Sequence, residues 1–337
     1  MSRHVITLFG GTGFIGRHVV QRLAKQGAQI RIATRDIEAA NFLKPMGEIG
    51  QITPVPINFS DKASIHRALN GANQAVNLIG VIFETRKHTF KKIHVGIARD
   101  IAHSATKAGL NTLIHVSALG ASLDSDSVYL RTKAAGEVAV KDAFKNAIFV
   151  RPSAIFGKED RFFNILARQA RFSPIMPIFG CQNIQNFKFF GLQTPVATNL
   201  QGDGGTRIQP VYVADVADAI VRILGKSSIS NKIYEFGGPT VYEYKSILEL
   251  VLRESGRRRL LVPFPFFAAK IIAWIFELFP NPPITRDQLT LLKSDNVISG
   301  ELPGFSDLSM SPAAVEAILP TYLRQYRPPA KRNFREA

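Results

Sequence analysis

The sequence predicts an α/β fold: a doubly wound parallel sheet followed by a smaller, mainly helical region. Three observations carry that prediction. Over the first 150 residues short apolar runs alternate with longer helix-like ones, the pattern of a parallel sheet covered by helices on both faces. The first apolar run leads straight into a turn with glycines at 10, 13 and 16, and then into a helix. Past Arg151-Pro152 the alternation stops, and proline and aromatic residues become more frequent.

Residues 4–9 read as the first strand, and Gly10, Thr12, Gly13, Phe14, Ile15 and Gly16 carry the chain into a helix over 14–26. Val19, Val20 and Leu23 share one side of that helix. Gly10 permits a tight turn, Gly13 lets backbone N–H groups approach a pyrophosphate, and Gly16 lets helix and strand pack closely. The anion then rests on the positive end of the helix. Strand, turn and helix come in the order that a dinucleotide site requires, so the unit reads as Rossmann-like. An ordinary glycine-rich turn is the plainer alternative.

Further strands are expected at 29–34, 51–57, 74–79, 111–117 and 146–150, with the clearest helices at 88–108 and 127–143. A strand at 231–236 and a helix opening near Asp215 return to complete the nucleotide domain. The expected organisation is a NAD(P)-binding domain over 1–157, completed by parts of 205–240, and a substrate- or partner-side region over 158–330. That region includes an irregular insertion near 180–203, read either as a lid-like or partner-facing loop or as a plain surface insertion. A basic tail, 331–337, closes the chain.

The chain has 337 residues, 46% of them hydrophobic, enough for a large core. A lone cysteine, Cys181, excludes an internal disulfide framework and reads as an inert thiol in a reducing compartment. The formal charge of +16 asks for anionic partners: a phosphorylated cofactor, an acidic protein face, anionic lipid headgroups or nucleic acid. Basic residues are dispersed apart from Arg257-Arg258-Arg259 and the tail around Lys331, Arg332 and Arg335. No nucleic-acid motif occurs, and no metal site is expected. Neither a leader before the first strand nor an apolar run of membrane-spanning length is seen. The expected place is therefore the cytoplasmic side of a bacterial inner membrane, peripheral, or the cytoplasm, with the mitochondrial matrix side as the organellar equivalent. Residues 264–279 carry apolar side chains at helical spacings and admit two readings, a core helix or a face lying on a bilayer or partner.

The chemistry sits at strand ends. Arg35 follows the second strand where an NAD site usually presents an acid, and Arg17 follows the last motif glycine. Two guanidinium groups near the ribose suit a 2′-phosphate, so NADPH is favoured, while Asp36 keeps NAD open. Asn58 and Asp61 follow the third strand, within reach of the adenine. Asp61 also reads as a helix cap. Leu78, Ile79 and Gly80 end the fourth strand and are expected to wall the adenine-side ribose. Ser117 closes the fifth strand, and Tyr129 and Lys133 stand four apart, sharing a helix face. A nearby ammonium is expected to lower the phenol's pKa, so that Tyr129 exchanges a proton with a carbonyl or alcohol. Ser117 would bond the same oxygen, and Lys133 would also hold the nicotinamide ribose.

These residues resemble the short-chain dehydrogenase/reductase superfamily in its atypical Gly-x-x-Gly-x-x-Gly branch. The blocks Val116–Ala121, Tyr129–Lys133, Arg151–Phe162, Gln209–Ala217 and Thr285–Gln288 narrow the likeness. They resemble the NADPH-binding accessory subunits of respiratory complex I and their bacterial relatives, over roughly residues 4 to 325. The resemblance implies tightly held NADPH with little or no turnover, and as partners other complex I subunits or proteins of quinone biosynthesis. It implies that Gly10, Gly13, Gly16, Arg17 and Arg35 hold the adenosine and phosphates. Ser117, Tyr129, Lys133, Pro152 and Ser153 would line the nicotinamide side. The stretch between Phe179 and Gly204 is longer than the pattern and departs from it at the pocket and docking face. The alternative function is a free NADP(H)-dependent reductase, dehydrogenase or epimerase. It would use Tyr129 and Lys133 on a small carbonyl, sugar-nucleotide or quinone-pathway substrate.

Overall fold

The computed structural model describes residues 4–179, 204–226, 232–280 and 282–328. The insertion near 180–203 with Cys181, and the basic tail, lie outside the described residues. Seven strands form one sheet: β1 (Val5–Phe9), β2 (Gln29–Thr34), β3 (Ile52–Pro56), β4 (Gln74–Asn77), β5 (Thr112–Val116), β6 (Ile148–Pro152) and β7 (Ile233–Phe236). Their order is β7-β6-β5-β4-β1-β2-β3, and every pairing is parallel. The chain reverses direction of travel across the sheet between β1 and β4. In such sheets the ligand crevice opens outside the carboxyl ends at that point.

Alternation along each strand divides the core. Ile6, Leu8, Ile30, Ile32 and Val76 face one way and bury against α1 (Phe14–Lys25) and, later in the chain, the helix Val213–Leu224. Phe9, Ala33, Ala75 and Leu113 belong to the opposite layer, beneath α2 (Lys62–Leu69), α3 (Ala98–Lys107) and α4 (Val128–Ala143). A π-helical stretch, Lys91–Ile97, runs directly into α3.

Beyond β6 a third apolar cluster forms around α5 (Phe162–Phe172) and, after α6 (Val213–Leu224), around α7 (Tyr244–Glu254). A short parallel pair, Ile175–Ile178 with Leu260–Pro263, joins it. Asp160 ties this cluster to the chain's later part: its carboxylate accepts from the N–H groups of Gly157, Phe163 and Asn164 and from the Tyr322 hydroxyl, at 2.6–3.1 Å.

The next helix, α8 (Phe266–Phe276), corrects the core reading of 264–279. Only Ala269 and Ala273 are buried within it, whereas Phe267 and the following Leu278 are each 72% exposed and Trp274 53%. The small alanines, one turn apart, let the helix lie close to the protein, with Phe264 and Phe266 packed on the third cluster and the large side chains from Phe267 onward mostly outside. No helix among the described residues is long and apolar enough to cross a membrane. After α8 come α9 (Arg286–Leu291) and α10 (Val315–Leu323).

Candidate functional site

The glycine turn is built as its spacing demands. Gly10 has φ +83°, a left-handed conformation that glycine adopts without a Cβ clash. A Cβ on Gly16 would stand 2.3 Å from the Gly10 carbonyl oxygen and 2.6 Å from Gly11 Cα. Only hydrogen fits where α1 crosses the turn. The N-cap residue of α1 is Gly13, which offers no side-chain cap, and the first turn carries no acid. Among the described residues its leading N–H groups thus carry no side-chain cap, and the positive end of its dipole faces the crevice. Thr12 is half-buried beside exposed Gly13, Ile15 packs on the sheet-face cluster, and the Phe14 ring packs near Gly157. These features fit the pyrophosphate of a dinucleotide.

Arg17 lies on the first turn of α1, and Arg35 directly follows β2. Arg17 lies over the Phe42 ring, its Cζ 5.5 Å from the centroid, and pairs with Glu159 at 3.5 Å. Arg35 is exposed, with Nη1 3.2 Å from His88 Nε2. Asp36 accepts from the Ala39 N–H at 2.9 Å, so this acid is engaged in capping the turn that follows. Asp61 is the N-cap of α2, accepting from the Ala63 N–H at 2.9 Å and pairing with Arg67 at 3.3 Å. Of its two readings, the structure displays the cap. Asn58 is exposed, and its side-chain oxygen accepts from the Ser60 N–H at 3.0 Å.

On the other side of the switch point, β4 continues into Leu78, Ile79 and Gly80. A Cβ on Gly10 would touch the Leu78 carbonyl carbon at 3.2 Å, so this segment walls the turn. A Cβ on Gly80 would lie 3.1 Å from Lys133 Nζ. Lys133, buried on α4, donates to the Val116 carbonyl at 3.2 Å. Ser117, next along the chain, is buried, and its Oγ has no hydrogen-bond partner among the described residues. The site therefore holds a hydroxyl without a protein partner and a buried ammonium within one strand end of each other. Pro152 ends β6. The Ser153 hydroxyl is bound to Asn296, 2.5 Å from its Oδ1, so it is committed within the protein.

The expected effect of Lys133 on Tyr129 is corrected. Burial, followed by the charge of Asp287, pushes the Tyr129 phenol up to about 12. Lys133 Nζ stands 6.0 Å from the Tyr129 ring centroid and is turned to the Val116 carbonyl. Burial lowers Lys133 itself to about 8, against the opposing pull of Glu137. In the protein alone, burial thus favours the neutral phenol of half-buried Tyr129 and weakens the Lys133 ammonium.

Sequence reasoning missed the groups that set this geometry. Phe90 and His94 flank the Tyr129 ring edge-on, at 5.8 and 5.4 Å between centroids. The Thr132 hydroxyl donates to the Tyr129 carbonyl at 3.0 Å, so it accepts from His94 Nδ1–H, also at 3.0 Å. His94 Nε2 then accepts from the Val81 N–H at 3.2 Å. This one imidazole pins the segment after β4 to α4. Burial and Lys133 drive its pKa down to about 3, so it stays neutral. Gly136 makes the approach feasible, since a Cβ there would lie 2.2 Å from the His94 carbonyl oxygen. Farther along, Arg151 on β6 clamps Glu137 through two bonds of 2.9 and 2.6 Å, holding α4 against the sheet. The spacing of Gly136 and Glu137 after Lys133 carried the only local signal of this.

A glycine crossing at the first β–α turn, a seven-stranded parallel sheet reversing at β1 and β4, and Ser117, Tyr129 and Lys133 beside that point define a Rossmann-type nucleotide-binding protein. Residues 6–237 match the NAD dependent epimerase/dehydratase family, and the chain belongs to that family and, within it, to the relatives of complex I alpha subcomplex subunit 9. It is 36% identical over 329 residues to NADH dehydrogenase [ubiquinone] 1 alpha subcomplex subunit 9, mitochondrial, of Mus musculus, covering 97% of this chain and 81% of that protein. The Arabidopsis thaliana protein of the same name is 35% identical over 339 residues, covering 97% of this chain and 79% of its own length. Among solved structures, the NADPH-dependent quinone oxidoreductase of Escherichia coli complexed with NADPH superposes with a TM-score of 0.69 at 18% identity, over 93% of this chain and 97% of that one. That likeness is one of fold.

Proposed function

We propose that this chain binds NADPH and acts as an accessory or assembly subunit of respiratory complex I or in quinone metabolism, with little or no turnover. The observation that carries this reading is the outer face of α8 and the residues just after it. Phe267, Ile271, Trp274, Ile275, Leu278 and Phe279 are all exposed on one segment, and a contiguous exposed apolar face marks an interaction site. The likeness to complex I subunits along nearly the whole chain supports the same reading. Lys270 on the helix and Lys293 nearby add positive charge, and the segment's carboxylate, Glu277, is paired with Arg286 at 2.8 Å. Such a face suits an anionic membrane beside a protein partner, the aromatic residues entering the interface while lysine reaches the headgroups.

For the cofactor, Arg17 and Arg35 supply the positive charge for a 2′-phosphate, and the engagement of Asp36 in its own turn supports NADPH over NAD. Bound NADPH supplies a hydride. The residues of this chain would hold its pyrophosphate on α1, seat its ribose near Lys133 and shield the nicotinamide with the Tyr129 wall. Blue-native separation of solubilised membranes tests the association. The chain should co-migrate with a large respiratory assembly or its intermediates, and migration only as a small free species contradicts the proposal. Trp274→Glu with Phe267→Glu should reduce flotation with anionic vesicles while leaving the protein folded.

A second reading, a free NADP(H)-dependent reductase, is favoured by the Ser117 hydroxyl, which has no partner among the described residues and adjoins the Val116 carbonyl that Lys133 binds. Tyr129→Phe would then abolish NADPH oxidation by a true substrate and leave cofactor affinity nearly unchanged.

A further inference from the structure

We propose that Asp287 is a positioning residue by which the C-terminal region sets the first turn of α4, and so the place of Tyr129 at the nucleotide site. The inference rests on the NADPH reading above. The first N–H groups of a helix have no acceptor of their own. In α4 the Ser127 hydroxyl takes one of them, accepting from the Leu130 N–H at 3.3 Å. The next two go to a residue far along the chain: Asp287 accepts from the Val128 N–H at 2.7 Å and the Tyr129 N–H at 3.1 Å. It also accepts from the Ser127 hydroxyl at 2.9 Å. The first turn of α4 holds no acid of its own, so the carboxylate that favours its dipole is lent by α9.

Asp287 is itself held rigidly. Thr285 and Gln288 form a reciprocal capping box around it. The neighbouring Arg286 binds Glu277, just past α8, through its backbone N–H at 2.7 Å and its guanidinium at 2.8 Å. A continuous set of bonds thus runs from the exposed face of α8 through Glu277, Arg286 and Asp287 to Tyr129. The middle of α4 is fastened separately, by Lys133 to Val116 and by Glu137 to Arg151. His94 holds the first turn from one side through Thr132, and Asp287 is the hold that comes from the other region. Coupling between two sites is reciprocal, so a nucleotide that settles against Tyr129 steadies α8 and α9, and a shift of α8 alters nucleotide affinity.

Hydrogen–deuterium exchange on the full chain, with and without NADPH, tests this. In the wild type NADPH should slow exchange in peptides spanning α8 and α9. Asp287→Asn should abolish that protection and weaken NADPH binding by about tenfold, the equivalent of one charge-assisted hydrogen bond. Adding Ser127→Asp to Asp287→Asn returns a carboxylate cap locally. It should restore NADPH affinity but not the protection of α8 and α9, which a merely structural cap would also restore. Protection that survives in Asp287→Asn or returns in the double variant overturns the proposal, as does a wild type that binds NADPH with α8 and α9 unchanged. A wild type that binds no NADPH overturns instead the cofactor reading on which the proposal rests.

Discussion

Gly80 and Lys133 meet so closely that a methyl group on the one would lie 3.1 Å from the ammonium of the other. The contact joins the end of β4 to the middle of α4 and brings the buried cation to the switch point of the sheet. The Gly80 backbone does not need glycine's freedom, so Gly80→Ala tests the space alone. The ammonium is the end of a flexible side chain and can shift. We expect Tm to change little and NADPH affinity to fall by about three- to tenfold, as a hydrogen bond to the ribose is misplaced. Isothermal titration beside a thermal melt separates the two effects.

Gly16→Ala acts differently. Its Cβ would collide with backbone atoms of Gly10 and Gly11 at 2.3–2.6 Å, and neither can move without opening the turn. Stability should drop by about 1–3 kcal/mol, the usual cost of overpacking, and nucleotide binding should be lost. Chemical denaturation measures the first and titration the second.

Arg35→Asp should exchange cofactor preference. Losing a charge-assisted bond to a 2′-phosphate and gaining a repulsion weakens NADPH by about ten- to a hundredfold, while NADH is spared. Equal loss for both cofactors would remove Arg35 from the phosphate's site.

Acid should unfold this protein through two buried histidines. Burial and the charge of Lys133 lower both His94 and His115 from 6.5 to about 3. The unfolded chain then binds more protons than the folded one between those values. Stability is therefore full above pH 6.5 and falls as pH drops toward 3. His115 accepts from the Asn77 amide at 3.0 Å, while its Nε2 lies buried without a partner among the described residues. His115→Gln should flatten the decline of Tm over this window, and an unchanged pH profile would show that His115 does not contribute.

Most of the sheet was legible because its signals are local. A four- to six-residue apolar run ending at a turn can be read without its neighbours, and β1 to β6 lie within two residues of their expected ends. The glycine turn was legible for the same reason. The surroundings of Tyr129 were not. His94 reaches Thr132 across 38 positions and Asp287 reaches Tyr129 across 158, and no residue type announces such a partner. The π-helical stretch Lys91–Ile97 likewise has no compositional mark. The orientation of α8 was ambiguous because an apolar helix shows the same periodicity against a core as against a membrane or partner. Ala269 and Ala273, one turn apart, were the available hint, since a helix whose fully buried residues are small keeps most of its large ones outside.

The turn at β1 and α1, with Arg17 and Arg35, is proposed to retain a nucleotide bearing a 2′-phosphate. Purifying the chain without added nucleotide, denaturing it and identifying what is released by mass spectrometry tests this most directly. NADPH or NADP is expected at close to one per chain. Release of NAD(H) would contradict the cofactor assignment, and a wild type that yields no nucleotide and takes up none on titration would contradict the account as a whole.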